Sequence, residues 1–199
     1  MFNLRRVFAA KPAPAGETVT ARLNARLQPI DRGEQFEHPL GEALQSEGLG
    51  EVVGGGTQLA GEPAGIEFCD VEIRLKQASE PVLRRVIERL EFLGAPKGSR
   101  LIIESSGREI AFGNQEGLAL VLNGTDLPAE IYASCDINHV VSELSRLMGE
   151  KGSFRGYWEG SKETSLYCYG GSFVEMSKAI EPLLNNYPLC RGAKVEQIA

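Results

Sequence analysis

From Ile66 to Leu75, apolar and polar residues alternate, so that Cys69, Val71, Ile73 and Leu75 share one face and Asp70, Glu72 and Arg74 the other. A period of two is what a strand with one buried face imposes. The stretch Arg22-Leu23-Asn24-Ala25-Arg26-Leu27-Gln28 alternates in the same way, with Pro29 and Gly33 expected to end it. Glu51-Val52-Val53, running into Gly54-Gly55-Gly56-Thr57, and the later Arg100 to Glu104 read as two further strands. Between them the period lengthens. Pro39 opens a short helix with Leu40, Ala43 and Leu44 on one side, and Gly48 stops it as a left-handed residue. Ser79 starts a longer helix in which Leu83, Val86, Ile87, Leu90 and Leu93 recur at intervals of three and four before Gly94 and Pro96.

After a hairpin expected through Ser105-Ser106-Gly107 and a short strand from Glu109 to Phe112, the same order returns. Leu118 to Leu122 is an apolar strand, and Asp136 an N-cap for a stripe of Ile137, Val140, Val141, Leu144, Leu147 and Met148. Phe154 to Glu159 and Thr164 to Tyr169 pair as a hairpin across Gly160-Ser161-Lys162. Ser172, with Glu175 three residues on, has the pattern of a capping box and leads a helix presenting Phe173, Met176, Ile180, Leu183 and Leu184. Pro182 should kink or break that helix, because it cannot donate to residue 178. Lys194 to Ile198 closes the series.

The two halves also match locally, since Lys97-Gly98-Ser99-Arg100 mirrors Arg191-Gly192-Ala193-Lys194 after each long helix. A duplicated split β-α-β unit would leave such an order. The fold class expected is α+β, as two tandem ferredoxin-like βαββαβ units with antiparallel sheets and helices on one face. The expected domains are an N-terminal segment and linker over 1–18, a first unit over 19–104, a connecting hairpin over 105–116 and a second unit over 117–199. One larger sheet built from both halves is the structural alternative.

Composition narrows the functional classes. Of 199 residues, 42% are hydrophobic and 24% charged, which excludes disordered and collagen-like chains. Acidic side chains number 27 against 21 basic ones, so the net charge of −6 argues against nucleic acid and anionic membranes and favours a basic protein partner. Arg5 and Arg6 interrupt the opening apolar stretch, and no run approaches the ~20 apolar residues of a membrane span, so a cytoplasmic protein is expected. Cys69, Cys135, Cys168 and Cys190 form no Cys-x-x-Cys pair, and only His38 and His139 accompany them. Neither a disulfide scaffold nor a zinc site has a signature here, and no metal or cofactor is expected.

Two groups of side chains stand out as candidate binding surfaces. In the expected fold, Arg22 and Arg26 lie beside Asp70, Glu72 and Arg74 on the outward face of neighbouring strands. This charged row reads either as a solvated sheet or as a recognition surface whose charges choose a partner. Tyr157, Trp158, Tyr167 and Tyr169 crowd one hairpin, as in base-stacking RNA-binding sheets, but no Lys or Arg accompanies them on the second strand. Packing against the other half, or anchoring a protein interface, fits these rings better.

Chemistry has thinner support. Gly54-Gly55-Gly56-Thr57 lacks the spacing and lysine of a phosphate loop, so close backbone approach explains it better. Cys135, just before a helix N-terminus, and His139 four residues on are the weak catalytic alternative. A non-enzymatic cytosolic binding protein is therefore expected, such as a bacterial inhibitor or immunity protein neutralising a basic partner. The alternative is a small-molecule enzyme or ligand sensor using a cleft between the units.

Overall fold

The computed structural model describes residues 16–61 and 65–199. The expected N-terminal segment up to residue 15 lies outside the described residues. The first strand, β1 (Glu17–Leu23), begins two residues before the expected Val19 and forms the centre of a five-stranded sheet. It pairs antiparallel with β3 (Ile66–Leu75) on one side and β4 (Ser99–Ile103) on the other. β2 (Gly50–Leu59) borders β3, and β5 (Arg108–Phe112) borders β4, giving the order β2-β3-β1-β4-β5.

Alternation decides which face is covered. Val19, Ala21, Leu23, Cys69, Val71, Ile73 and Leu75 all point to one side, where Leu40 and Leu44 of α2 (His38–Ser46) meet Leu83, Val86 and Leu90 of α3 (Glu80–Phe92). Arg22, Asp70, Glu72 and Arg74 are left on the helix-free side, with Arg22 facing Asp70 across the β1–β3 ladder.

Two expectations change here. The alternation of residues 22–28 is real, but β1 ends at Leu23. Ala25 and Leu27 stay buried because the chain beyond β1 runs against the second half, the Arg26 amide donating to Tyr169 Oη at 2.7 Å. Pro29 does not stop structure; it starts α1 (Pro29–Arg32), since its fixed φ suits a first helical position. The chain then passes through a π-turn, Gly33–Glu37, directly into α2. Pro39 can neither donate nor pack against the carbonyl of residue 35. The wide turn, in which the His38 N–H bonds the Gly33 carbonyl, accommodates it.

The second sheet has four antiparallel strands in the order β7-β8-β6-β9: β6 (Glu116–Asn123), β7 (Gly152–Glu159), β8 (Glu163–Gly170) and β9 (Lys194–Gln197). Between β6 and β7 come the short α4 (Ala129–Ser134) and then α5 (Ile137–Met148), capped by the Asp136 carboxylate on the Asn138 N–H at 2.8 Å. α6 (Phe173–Asn186) runs unbroken through Pro182. Ile180 and Leu183, either side of it, are anchored in the core while Pro182 itself faces solvent. Leu118, Leu120, Leu122, Leu166 and Cys168 pack under α5 and α6.

The opposite face of this sheet, with Ala119, Val121, Tyr167 and Tyr169, joins the core of the first half. Strands buried on both faces read as continuous apolar runs, which is why Leu118 to Leu122 shows no alternation. The molecule is thus α+β with two antiparallel sheets, consistent with two ferredoxin-like units, and not one sheet shared by both halves.

Candidate functional site

Among the described residues each sheet has one face without helices, and only one of the two is left open. The second sheet's face is closed by residues 25–36 and the Gly94–Pro96 turn of the first half. Ala25, Leu27, Phe36, Tyr169 and Arg155 meet there and leave no room for a water molecule. The cleft expected between the halves is a packed seam.

The first sheet's face carries side chains already paired with one another. Arg22 donates from Nε and Nη2 to the two Asp70 carboxylate oxygens at 3.0 and 3.1 Å, and its guanidinium lies 4.3 Å over the Phe68 ring. The hydrogen bond to Asp70 raises the Arg22 pKa against the opposing effect of burial, with the Asp70 charge adding to the rise. Arg74 reaches Glu51 on β2 at 3.1 Å, Arg100 reaches Glu109 on β5 at 3.0 Å, and Thr20 Oγ1 donates to Glu104 at 2.7 Å. Exposed pairs of this kind add only about 0–1 kcal/mol each to stability. Their effect is to hold charges at fixed points across five strands.

Glu72 is different. It lies between Asp70 and Arg74 on β3 and has no cationic partner among the described residues. Opposite it on β2 is Gly54, where a Cβ would sit 3.1 Å from Glu72 Oε2, and beyond that Gly56, with nothing within 4 Å of its own Cβ position. The glycines therefore form a bare path from the sheet edge to an unneutralised carboxylate. The same strand is bulged where its register skips Val53 between Val52 and Gly54.

Behind β2 lies a network that the sequence did not reveal. Arg32, only 7% exposed, donates from Nε to Glu37 and from Nη1 to Thr57 Oγ1 at 2.6 Å, and Thr57 Oγ1 in turn donates to the Leu27 carbonyl at 3.1 Å. Gly55 is pressed against it: a Cβ there would lie 2.9 Å from Arg32 Nε and 2.7 Å from the Asp70 carbonyl oxygen. The spacing Arg32 to Glu37 is meaningful only with a π-turn between them, so a reading by helical period passes over it. Phe68 and the Arg100–Glu109 pair were also missed, although facing positions on β4 and β5 could have signalled the latter.

The remaining candidates fall elsewhere. Arg26 is not in the charged row: it lies at the seam, with its guanidinium 5.7 Å over the Tyr167 ring. Tyr167 and Tyr169 are interior, at 0% and 2% exposed, and burial raises the pKa of both hydroxyls. Trp158 is half-buried against Gly65, and Tyr157 alone of the four rings is exposed. Tyr157 borders a groove of about 420 Å³ with Ile137, Val141 and Phe154.

Asp136, next to Cys135, and His139 each meet Tyr187, and Cys135 and His139 share no hydrogen bond with one another. The Tyr187 hydroxyl accepts from the Asp136 N–H at 2.8 Å and donates to the Asp136 carbonyl at 3.2 Å, while the His139 ring lies 4.7 Å from the Tyr187 ring. Burial pushes the thiols of Cys69 and Cys168 up to about 12 and that of Cys190 to about 11. Among the described residues no group of three or more His, Cys, Asp or Glu could hold a metal ion. No described helix is long and apolar enough to cross a membrane.

No family model and no curated protein matches the chain. Among solved structures, an unknown protein from Galdieria sulphuraria is similar over 92% of this chain and 96% of its own, at 10% identity and a TM-score of 0.29. The regulatory subunit of aspartate kinase from Thermus flavus is similar over 84% of this chain and 94% of its own, at 12% identity and a TM-score of 0.27. An anthrone oxidase-like protein is similar over 92% of this chain and 89% of its own, at 13% identity and a TM-score of 0.25. At such scores these likenesses carry no argument about function.

Proposed function

We propose that this chain is a non-enzymatic binding protein that engages a basic partner protein through the open face of its first sheet. Its mode would be that of an inhibitor or immunity protein covering the partner's working surface. The observation that carries this reading is the fixed array of Arg22–Asp70, Arg74–Glu51 and Arg100–Glu109 around the uncompensated Glu72. Side chains already held in place lose little freedom on association, and their charge pattern steers the approach and register of a complementary surface. The net charge of −6 favours a partner of opposite sign.

The finer architecture belongs to the same proposal: two ferredoxin-like βαββαβ units in tandem, joined by the connecting hairpin of residues 105–116. The strand orders β4-β1-β3-β2 and β9-β6-β8-β7, which correspond strand for strand with β5 added at the outer edge of the first, support it. Four free thiols support a cytoplasmic setting.

The test is capture of partners from an extract of the native cells by the full chain and by an Asp70→Lys/Glu72→Lys variant. The wild type should retain one basic protein in a stoichiometric complex that weakens as salt rises, and the variant should lose it. Equal recovery by both, or no stoichiometric complex, overturns the reading. A specific metabolite or nucleotide that raises the melting temperature would favour a ligand sensor instead.

A further inference from the structure

We infer that the edge of β2 accepts an added strand from the partner, and that this strand is an extended segment bearing Lys or Arg. The inference rests on the protein-binding reading above and names where and how the partner docks. Among the described residues β2 pairs only with β3, so the outer row of N–H and C=O groups on a ten-residue strand has no ladder partner. Sheet edges are ordinarily blunted by charge, shortness or proline. β5 opens with Arg108-Glu109, β9 is four residues long with Lys194 and Glu196, and β7 carries Arg155 at its bulge. β2 carries one charge, Glu51, and no proline, and its bulge leaves Val53 and, further on, Leu59 exposed at the rim.

What flanks this edge selects the occupant. A strand laid along β2 projects alternate side chains to the two faces of the sheet. On the open face they cross Gly54 and Gly56, whose missing side chains leave the way clear to Glu72. On the helix side they enter a groove of about 480 Å³ between β2 and α2, lined by His38, Gly41, Glu42, Gln45 and Val52. Glu42 has no cation within ion-pairing reach among the described residues, and neither has Glu72. Both rows of an incoming strand therefore meet a carboxylate awaiting a positive charge. A second copy of this chain is disfavoured, because its own β2 has no Lys or Arg to offer Glu42 and Glu72.

The probe is a synthetic ten-residue peptide in which Lys-Lys pairs alternate with Thr-Val pairs, so that both faces carry Lys, compared with the same peptide carrying Glu in place of Lys. Fluorescence anisotropy reads binding to the full chain, and amide hydrogen exchange reads its position. The Lys peptide should bind, slow exchange from Val53 to Gly56, and weaken with salt, whereas the Glu peptide should not bind. Val53→Pro removes an N–H at the residue the β2–β3 register skips and should weaken binding roughly tenfold. Glu42→Gln and Glu72→Gln should each weaken it roughly threefold, which keeps the test decisive should the proline variant not fold.

Absence of binding, or binding without slowed exchange in β2, overturns the inference, as does protection of β2 by self-association in the free protein. A captured partner lost on Asp70→Lys/Glu72→Lys but leaving β2 exchange unchanged would sink this docking mode while the binding function stands. Failure to capture any partner would sink the function itself.

Discussion

At Gly55 the Arg32–Glu37 ion pair lies directly against the backbone of β2, so this strand can hold neither a longer side chain nor a different distance from the helix behind it. At neighbouring positions of the same glycine run the constraints differ in kind: Gly54 keeps a path open above the sheet, whereas Gly55 makes room for a buried guanidinium beneath it. Gly55→Ala forces a methyl between Arg32 and the Asp70 carbonyl and should lower stability by about 1–3 kcal/mol in urea denaturation. Gly56→Ala, with no atom within 4 Å of the new methyl, should change it by less than about 0.5 kcal/mol. Equal effects at the two positions would mean that the Arg32 network yields without penalty. Since Arg32 is both charged and nearly inaccessible, its retention beside Glu37 and Thr57 also pins helix to strand in one register.

Between elements, one carboxylate holds α2 to α3. Glu47 follows the last turn of α2 and accepts from Arg85 and Arg89, one helical turn apart on α3. Those hydrogen bonds, Arg85 first and then Arg89, hold the Glu47 pKa down to about 2. A carboxyl whose folded pKa lies below its unfolded value stabilises the native state above the unfolded pKa and loses that contribution as pH falls through the folded one. For Glu47 the window runs from its ordinary 4.5 down to about 2. Glu80, hydrogen-bonded by Arg108, and Glu116, by Lys97, shift the same way. The melting temperature should accordingly fall on acidification through this range, and Glu47→Gln should flatten part of that fall. An acid limb identical in the variant would show that the α2–α3 contact does not depend on the charge.

Elements were also where the sequence was most legible, because the signals concerned are local. The alternation over Ile66 to Leu75 and the apolar stripes of α3 and α5 depend only on spacing, and the Asp136 and Ser172 caps only on residues two or three positions away. What failed depended on distant partners. Nothing near Leu23 says that the alternation beyond it is buried by Tyr169 and not by a neighbouring strand, and nothing near Pro182 says that Ile180 and Leu183 will hold the helix through it. The charged row of Arg22, Asp70, Glu72 and Arg74 was legible for the same local reason, whereas the Arg32–Glu37–Thr57 network spans a π-turn and two elements.

For the molecule as a whole, the decisive feature is that the second sheet finishes the core of the first half. Ala119, Val121, Tyr167 and Tyr169 belong to that core, and Lys97 reaches across the seam to Glu116 at 2.7 Å, a carboxylate that the Phe173 amide of its own half holds at 2.7 Å. Separation would expose these aromatic and branched side chains and exchange the Arg26 amide's bond to Tyr169 for one to water, a net loss of about 0.5–1.5 kcal/mol before any apolar area is counted. The halves should therefore unfold together. Trp158, the sole tryptophan, sits at the seam against Gly65, so its fluorescence reports this contact while far-UV circular dichroism reports both sheets. The two signals should trace one coincident urea transition. Fluorescence changing at lower urea than dichroism would mean that the seam opens while the sheets persist. The second sheet's face would then become a surface available to partners, and the first sheet's charged face would no longer be the one open face on which the binding reading relies.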